Sequence, residues 1–134
     1  MTSSLVVYVD TSALGALLID QPESPALVSW LDQTSATLVS SDLLETELSR
    51  IAVRENLDQS DVTRVVDGVA LAALDRDVYR SAGFLPMPYL RTLDALHLEA
   101  AMWLDAVAVL TYDRRLGEAS RTVGLDVIAP GAAL

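Results

Sequence analysis

Leu5-Val6-Val7-Tyr8-Val9-Asp10-Thr11-Ser12 is the stretch on which the fold turns. Its first five residues form an apolar, β-prone run without polar alternation, the pattern of a strand buried on both faces. The run stops at an acid followed by two hydroxyl residues, and Ala13 to Ile19 then reads as a helix. A buried strand that leads directly into a helix is the opening unit of a parallel α/β sheet. The alternation recurs downstream, with strands expected at Thr37–Ser40, Val69–Leu74, Val107–Thr111 and Leu125–Ile128. Helices are expected at Ala26–Thr34, from Ser41 or Asp42 to about Asn56, and at Asp61–Asp67, Val78–Leu85, Leu90–Leu104 and Arg114–Val123. Pro22, Pro25 and Pro86-Met87-Pro88 force breaks. Asp42, with Glu45 three residues on, suggests a capping box on the helix it opens. No repeat, linker or low-complexity segment interrupts the series. The expected class is α/β, a central parallel sheet covered on both faces, as one domain over 1–134.

A chain of 134 residues that is 51% apolar can bury one substantial core. The mean hydropathy of +0.35 is high for such a domain and suggests an apolar face kept for a partner or a second copy. No apolar run approaches the ~20 residues that span a bilayer. Met1-Thr2-Ser3-Ser4 lacks the basic region of a signal peptide, so a cytoplasmic location without membrane contact is expected. The absence of cysteine removes disulfides, thiolate zinc sites and cysteine nucleophiles, and a single histidine, His97, removes multi-histidine metal sites. All nine basic residues are arginine. A Walker-type phosphate loop and Schiff-base chemistry are thereby excluded, and a receiver domain lacks the lysine it sets opposite its phosphorylated aspartate. A haloacid-dehalogenase-like phosphatase needs a second aspartate two residues after the first, where this chain has Ser12. The net charge of −10 opposes nucleic acid as a partner unless bound cations or a basic protein neutralise it.

Four acids are expected to meet. Ligands of open parallel sheets bind beyond the carboxyl ends of the strands, and Asp10 and Asp113 each follow a strand at that edge. Either residue alone also suits a helix N-cap. Glu47 falls within the apolar arc of Leu43, Leu44, Leu48 and Ile51, whereas Glu45 points to the opposite side. A carboxylate on a core-facing stripe is costly unless it is paired, neutralised or metal-bound, and Arg50 and Arg91 are the candidate ion-pair partners. Asp94 sits near the start of an otherwise apolar helix, where the helix dipole favours an anion. Gathered together, such acids raise one another's pKa. A hard divalent cation resolves the conflict, and oxygen-only donors favour Mg²⁺ or Mn²⁺ over Zn²⁺. A site of this kind suits phosphoryl chemistry.

The same residues carry a family resemblance. Val9-Asp10-Thr11-Ser12-Ala13-Leu14 resembles the opening motif of PIN domains, and Ser41 through Glu47-Leu48-Ser49-Arg50 resembles their second acidic motif. Arg91-Thr92-Leu93-Asp94-Ala95-Leu96-His97-Leu98 is very similar to the third motif as VapC-type toxins carry it. Leu110-Thr111-Tyr112-Asp113-Arg114-Arg115-Leu116, with Gly124-Leu125 and Ala129-Pro130, resembles the fourth motif and the last strand. Four motifs in order span nearly the whole chain. The resemblance implies a three-layer α/β/α fold, Mg²⁺ or Mn²⁺, and endonucleolytic hydrolysis of RNA by water. It further implies a homodimer silenced by a cognate VapB-type antitoxin whose tail places a basic side chain in the acidic pocket. Carried over by position, Asp10, Glu47, Asp94 and Asp113 are the catalytic acids, with Asp10 and Asp94 as the principal metal ligands. Thr11, Ser12 and Thr111 are candidates to orient them, and Arg114 and Arg115 are candidates to hold an RNA phosphate. Glu99 departs from the small residue usual in the third motif. His97 is expected to be a packed core residue, and Phe84–Leu90 is a candidate dimer or antitoxin surface. The competing reading is a catalytically silent PIN-like module that acts only through a protein partner.

Overall fold

The computed structural model describes residues 5–134; the segment in which no signal-peptide charge was found, residues 1–4, lies outside the described residues. Five strands, β1 (Val6–Val9), β2 (Thr37–Ser41), β3 (Ala70–Ala72), β4 (Ala108–Leu110) and β5 (Asp126–Ile128), form one sheet in the order β3-β2-β1-β4-β5. Every pairing is parallel. The chain builds outward from β1 to β3 and then returns to the other flank of β1 with β4. Strand order therefore reverses between β1 and β4, the crevice where open α/β sheets bind ligands.

Alternation along β1 divides the core. Val7 and Val9 join Ala108 and Leu110 on one face. That face is covered by α1 (Thr11–Leu18), α2 (Ser24–Gln33), α3 (Asp42–Arg54) and α4 (Gln59–Val66), whose Leu14, Leu27, Leu44, Leu48 and Val62 are buried there. Val6 and Tyr8 join Val109 on the other face. Leu98, Ala100 and Ala101 of α6 (Thr92–Trp103) and Leu116 and Ala119 of α7 (Arg114–Thr122) pack there, with α5 (Arg76–Ala82) against α6. The architecture is the expected three-layer α/β/α sandwich. Each fully buried leucine contributes about 1.5–3 kcal/mol, so this core outweighs any single feature of the site.

Three helix starts shift for a common cause. The helices α1, α4 and α5 begin two residues before the apolar periodicity does, because Asp10, Asp58 and Asp75 cap them by accepting the backbone N–H groups of Ser12, Ser60 and Val78. The cap sits outside the apolar pattern and pulls the helix start toward it. Strand β3 is shorter than expected because its partner ends: Ala72 pairs with Ser41, after which the β2 chain becomes α3. The capping box at Asp42 does not form. Ser41 is the N-cap residue and gives no side-chain cap, since its hydroxyl instead accepts a bond from Tyr8. No helix among the described residues is long and apolar enough to cross a membrane.

Candidate active site

Asp10 leaves β1 at the reversal point and is buried, 5% exposed. All the hydrogen bonds it accepts fall on one oxygen, Oδ2: from the Ser12 amide at 3.3 Å, the Ser12 hydroxyl at 2.6 Å and the Thr111 hydroxyl at 2.8 Å. The donors come from α1 and from the end of β4, so two neighbouring strands fix the carboxylate. Among the described residues, no buried side-chain polar atom lacks a hydrogen-bond partner. Oδ1, which faces His97 Nε2 at 3.7 Å, is therefore reached by solvent and free to meet a cation.

Glu47 enters from α3, whose Leu44, Leu48 and Ala52 are anchored in the core. Its partner is neither Arg50 nor Arg91. The Thr11 hydroxyl donates to Oε1 at 2.9 Å, and His97 Nε2 lies 2.6 Å from the same oxygen. His97, on α6, is 1% exposed, and its Nδ1 lies 2.7 Å from the Tyr8 hydroxyl. Tyr8 gives its own proton to Ser41 Oγ at 3.0 Å. The tyrosine therefore accepts from Nδ1–H while Nε2–H donates to the carboxylate, the pattern of an imidazolium. Burial alone would lower the His97 pKa, but the Glu47 hydrogen bond and the charges of Asp10, Glu47 and Asp94 raise it. Burial alone would raise Glu47, but the His97 bond and charge, with Thr11, hold it below the ordinary value. Burial pushes the Tyr8 hydroxyl up to about 12, so it stays protonated.

Asp94, in the first turn of α6, is half-buried and differs in kind. Burial raises its pKa, and the charges of Asp113 and Asp10 raise it further. Asp113 caps α7 by accepting the Leu116 amide at 2.9 Å, and its own amide donates to Thr111 Oγ1 at 3.0 Å. Thr111 thus braces both Asp10 and Asp113. Glu47, Asp94, Asp113, Arg91 and Arg115 line one cleft. Arg114 and Arg115 are exposed on the first turn of α7, and of the two Arg115 lines the cleft. Glu99 is half-buried on α6, and burial raises its carboxyl.

The donor set suits a hard divalent cation: carboxylates only, with mutual repulsion recorded at Asp94 and an open oxygen on Asp10. Among the described residues, no three acidic or imidazole groups close into a metal cage.

Asp10 and Asp113 both cap helices, so the capping alternative holds at each; Asp113 also lines the acidic cleft, whereas the buried Asp10 does not. The residue that sequence reasoning left out of the site is His97, together with Tyr8. One signal pointed to them. A tyrosine inside a strand buried on both faces needs a partner for its hydroxyl, and the lone buried histidine offers one.

The family profile of the PIN domain matches residues 7–121. Ribonuclease VapC35 of Mycobacterium tuberculosis is 39% identical over 96% of this chain and 99% of its own length. The crystal structure of Mycobacterium tuberculosis VapC20, a Sarcin-Ricin loop cleaving toxin, superposes with a TM-score of 0.75 at 14% identity, covering 92% of this chain and 99% of that one. A chain from a toxin-antitoxin complex from Klebsiella pneumoniae superposes with a TM-score of 0.71 at 15% identity, covering 96% and 99%.

Proposed function

The chain belongs to the PIN domain family, and from that membership we propose that it is a Mg²⁺- or Mn²⁺-dependent endoribonuclease, the toxin of a VapBC-type toxin–antitoxin pair. The observation that carries the reading is the gathering of Glu47, Asp94 and Asp113 in one cleft at the reversal point of the sheet, where burial and the charges of Asp113 and Asp10 raise the Asp94 carboxyl. Repulsion left standing in a cleft is a poor structural device and a good cation site. The naming of a near full-length relative as a ribonuclease supports RNA as the substrate.

Asp10 and Asp94 would be the principal ligands, with Glu47 and Asp113 completing the shell or holding its waters. When bound, the divalent ion supplies Lewis acidity at the phosphate and lowers the pKa of an attacking water. Ser12 and Thr111 hold Asp10 Oδ2 and leave Oδ1, 3.7 Å from His97 Nε2, without a hydrogen bond. Thr11 and His97 both hold Glu47 Oε1, which keeps that carboxylate ionised and leaves Oε2 for the substrate side. His97 acts through Glu47, as a positioning residue.

A VapB-type antitoxin is the proposed inhibitor, supported by the likeness to a chain from a toxin–antitoxin complex. A basic side chain from its tail would complement the acidic cleft and the net charge of −10. The apolar groove between α5 and α6, lined by Leu85, Met87 and Leu96, lies beside Phe84, which is 78% exposed. It is the proposed surface for the second copy of a homodimer. A cytoplasmic location belongs to the same proposal.

The deciding experiment incubates antitoxin-free protein with structured cellular RNA and Mg²⁺ or Mn²⁺, beside an EDTA control and the Asp10→Asn and Asp94→Asn variants. Discrete metal-dependent fragments, lost in both variants, are the expected result. A folded, metal-loaded protein that cuts nothing in total RNA would instead support a silent PIN-like module working through its partner.

A further inference from the structure

A second cleft adjoins the acidic one. It has a volume of about 460 Å³ and is lined by Leu43, Glu47, Arg50, Ile51, Arg54 and Leu93, among others. The acidic cleft, about 450 Å³, shares Glu47 and Leu93 with it. The two are lobes of one groove, with Glu47 and the half-exposed Leu93 at the saddle between them.

Cations stand on both sides of that saddle. Arg50 and Arg54, one helical turn apart on α3, line the outer lobe, and Arg91 and Arg115 line the acidic lobe. Four of the nine arginines in a chain of net charge −10 therefore border this one groove. Arg50 and Arg54 are exposed. Arg54 is bonded at 3.4 Å to its exposed neighbour Glu55, a contact worth little and easily exchanged for a phosphate. Among the described residues, no ion pair is recorded for Arg50, Arg91 or Arg115. Leu43, Ile51 and Leu93 supply an aliphatic wall beside these guanidinium groups.

We propose that the outer lobe is a phosphate-backbone subsite for an RNA strand, in which Arg50 and Arg54 hold the phosphates on one side of the scissile bond. The assignment rests on the nuclease reading above and extends it. Charge complementarity selects the occupant: planar guanidinium groups bind phosphate in fork geometry, and an unpaired base turned from its phosphate meets the aliphatic wall. Arg91 and Arg115 then guide the strand beyond the acids. The arrangement also answers the objection from net charge. The binding cations are gathered at the groove while the excess acid is spread elsewhere.

The test measures fluorescence anisotropy of a labelled, mixed-sequence single-stranded RNA oligonucleotide against salt concentration. It uses Asp94→Asn protein, to prevent cleavage, with and without Arg50→Ala/Arg54→Ala. An Arg76→Ala/Arg80→Ala pair on α5 serves as control, and thermal melts confirm folding. Each phosphate contact on a single strand contributes roughly −0.7 to the log–log salt slope, so loss of two flattens it by about 1.4 and weakens affinity roughly tenfold. The α5 pair leaves slope and affinity unchanged. In otherwise wild-type protein, Arg50→Ala/Arg54→Ala raises the KM for RNA more than it lowers kcat. An unchanged slope and KM, in a protein that cuts RNA, overturns the subsite while the nuclease reading survives, and leaves this face to a protein partner. Salt-dependent binding lost in the double variant, in a protein that never cuts RNA, supports the subsite and sinks the nuclease reading. No RNA binding at all by folded protein overturns both.

Discussion

Asp10 and Glu47 are met by hydroxyl, amide and imidazole donors from α1, α6 and the end of β4, whereas Asp94, across the same edge, meets the charges of two other acids. The inner wall of the cleft is finished as the chain folds. It is a chain of Tyr8, His97, Glu47 and Thr11 beside a cluster of Ser12, Thr111 and Asp10, with its buried polar atoms satisfied and Asp10 Oδ1 left open. On the outer wall Asp94 of α6 is left under electrostatic load, from burial and from the charges of Asp113 and Asp10. In the proposed reading, folding fixes one wall and cation binding would relieve the other. A site in which all four acids were compensated would have little affinity left for a cation, and one in which none were would not hold its geometry.

The sharpest way to break this contrast is to neutralise one acid on each wall. Both Asp10→Asn and Asp94→Asn should reduce metal-dependent RNA cleavage by about a thousandfold, the several kcal/mol of charge stabilisation a metal site supplies. Their metal-free stabilities should move in opposite directions. Asp94→Asn removes a repelled charge and raises the melting temperature. Asp10→Asn weakens an N-cap and a three-donor acceptor and lowers it. Melts of the two variants in EDTA check this, and a fall in both would show that Asp94 carries no load.

Next in size is His97→Leu. It leaves the part-buried Glu47 without its cationic partner, and the cost of breaking a fully buried pair, ~3–5 kcal/mol, falls to about 2–3 kcal/mol for an acid with 26% of its side chain exposed. Cleavage should drop about 10–100-fold, the range for losing an outer-shell partner of a metal ligand. The partial recovery of cleavage by His97→Gln, which can still donate to Oε1, separates positioning from packing.

Acidity sharpens the same comparison without mutation. Glu47 is lowered from 4.5 and His97 is raised from 6.5. Their pairing is therefore fully present between those two pH values. It fades below 4.5 as Glu47 protonates through its lowered value, and above 6.5 as His97 loses its proton through its raised one. Asp94, raised from 3.8, has the opposite effect: it costs nothing in acid, and its penalty grows as pH rises through the raised value. Saturating Mn²⁺ should therefore raise the melting temperature much more at neutral pH than below 3.8. At a hundred times Kd the neutral shift should be roughly 10 °C. Equal shifts at both pH values would contradict a loaded outer wall.

Much of this was legible in the order of residues. Val6 to Val9 announced a doubly buried strand, and Glu47 declared itself by lying on the stripe of Leu44 and Leu48. Asp10 and Asp113 were legible as strand-end acids, because a parallel sheet brings such ends to one edge. His97 was not. A histidine on an apolar helix reads as core, and here it is core, at 1% exposure. Its role comes from Tyr8, 89 residues earlier in the chain, and from Glu47, 50 residues earlier, and no local pattern encodes either distance. Arg50, like Arg91, was an alternative ion-pair partner for Glu47, and neither forms that pair. Helix geometry places Arg50 near Glu47, but Thr11 and His97 already occupy the carboxylate oxygen that faces the core.

The smallest effect belongs to Ser12→Ala, which tests whether the inner wall is redundant. Ser12 Oγ donates to Asp10 Oδ2 at 2.6 Å and accepts from the Tyr112 amide at 2.9 Å, so its loss leaves that amide without its partner. Asp10 keeps the Ser12 backbone amide and the Thr111 hydroxyl, the latter itself 3.1 Å from the lost Ser12 Oγ. The destabilisation should be about 1 kcal/mol, one hydrogen bond's worth, and cleavage should fall only a few-fold. Thr111→Val is the informative companion, because that hydroxyl serves both Asp10 and the Asp113 amide and so ties the finished wall to the loaded one. If the wall is a network with spare donors, the double variant loses more activity than the product of the two single losses. Strict multiplicativity would mean that Ser12 and Thr111 hold Asp10 independently, and the inner wall would then be two separate props.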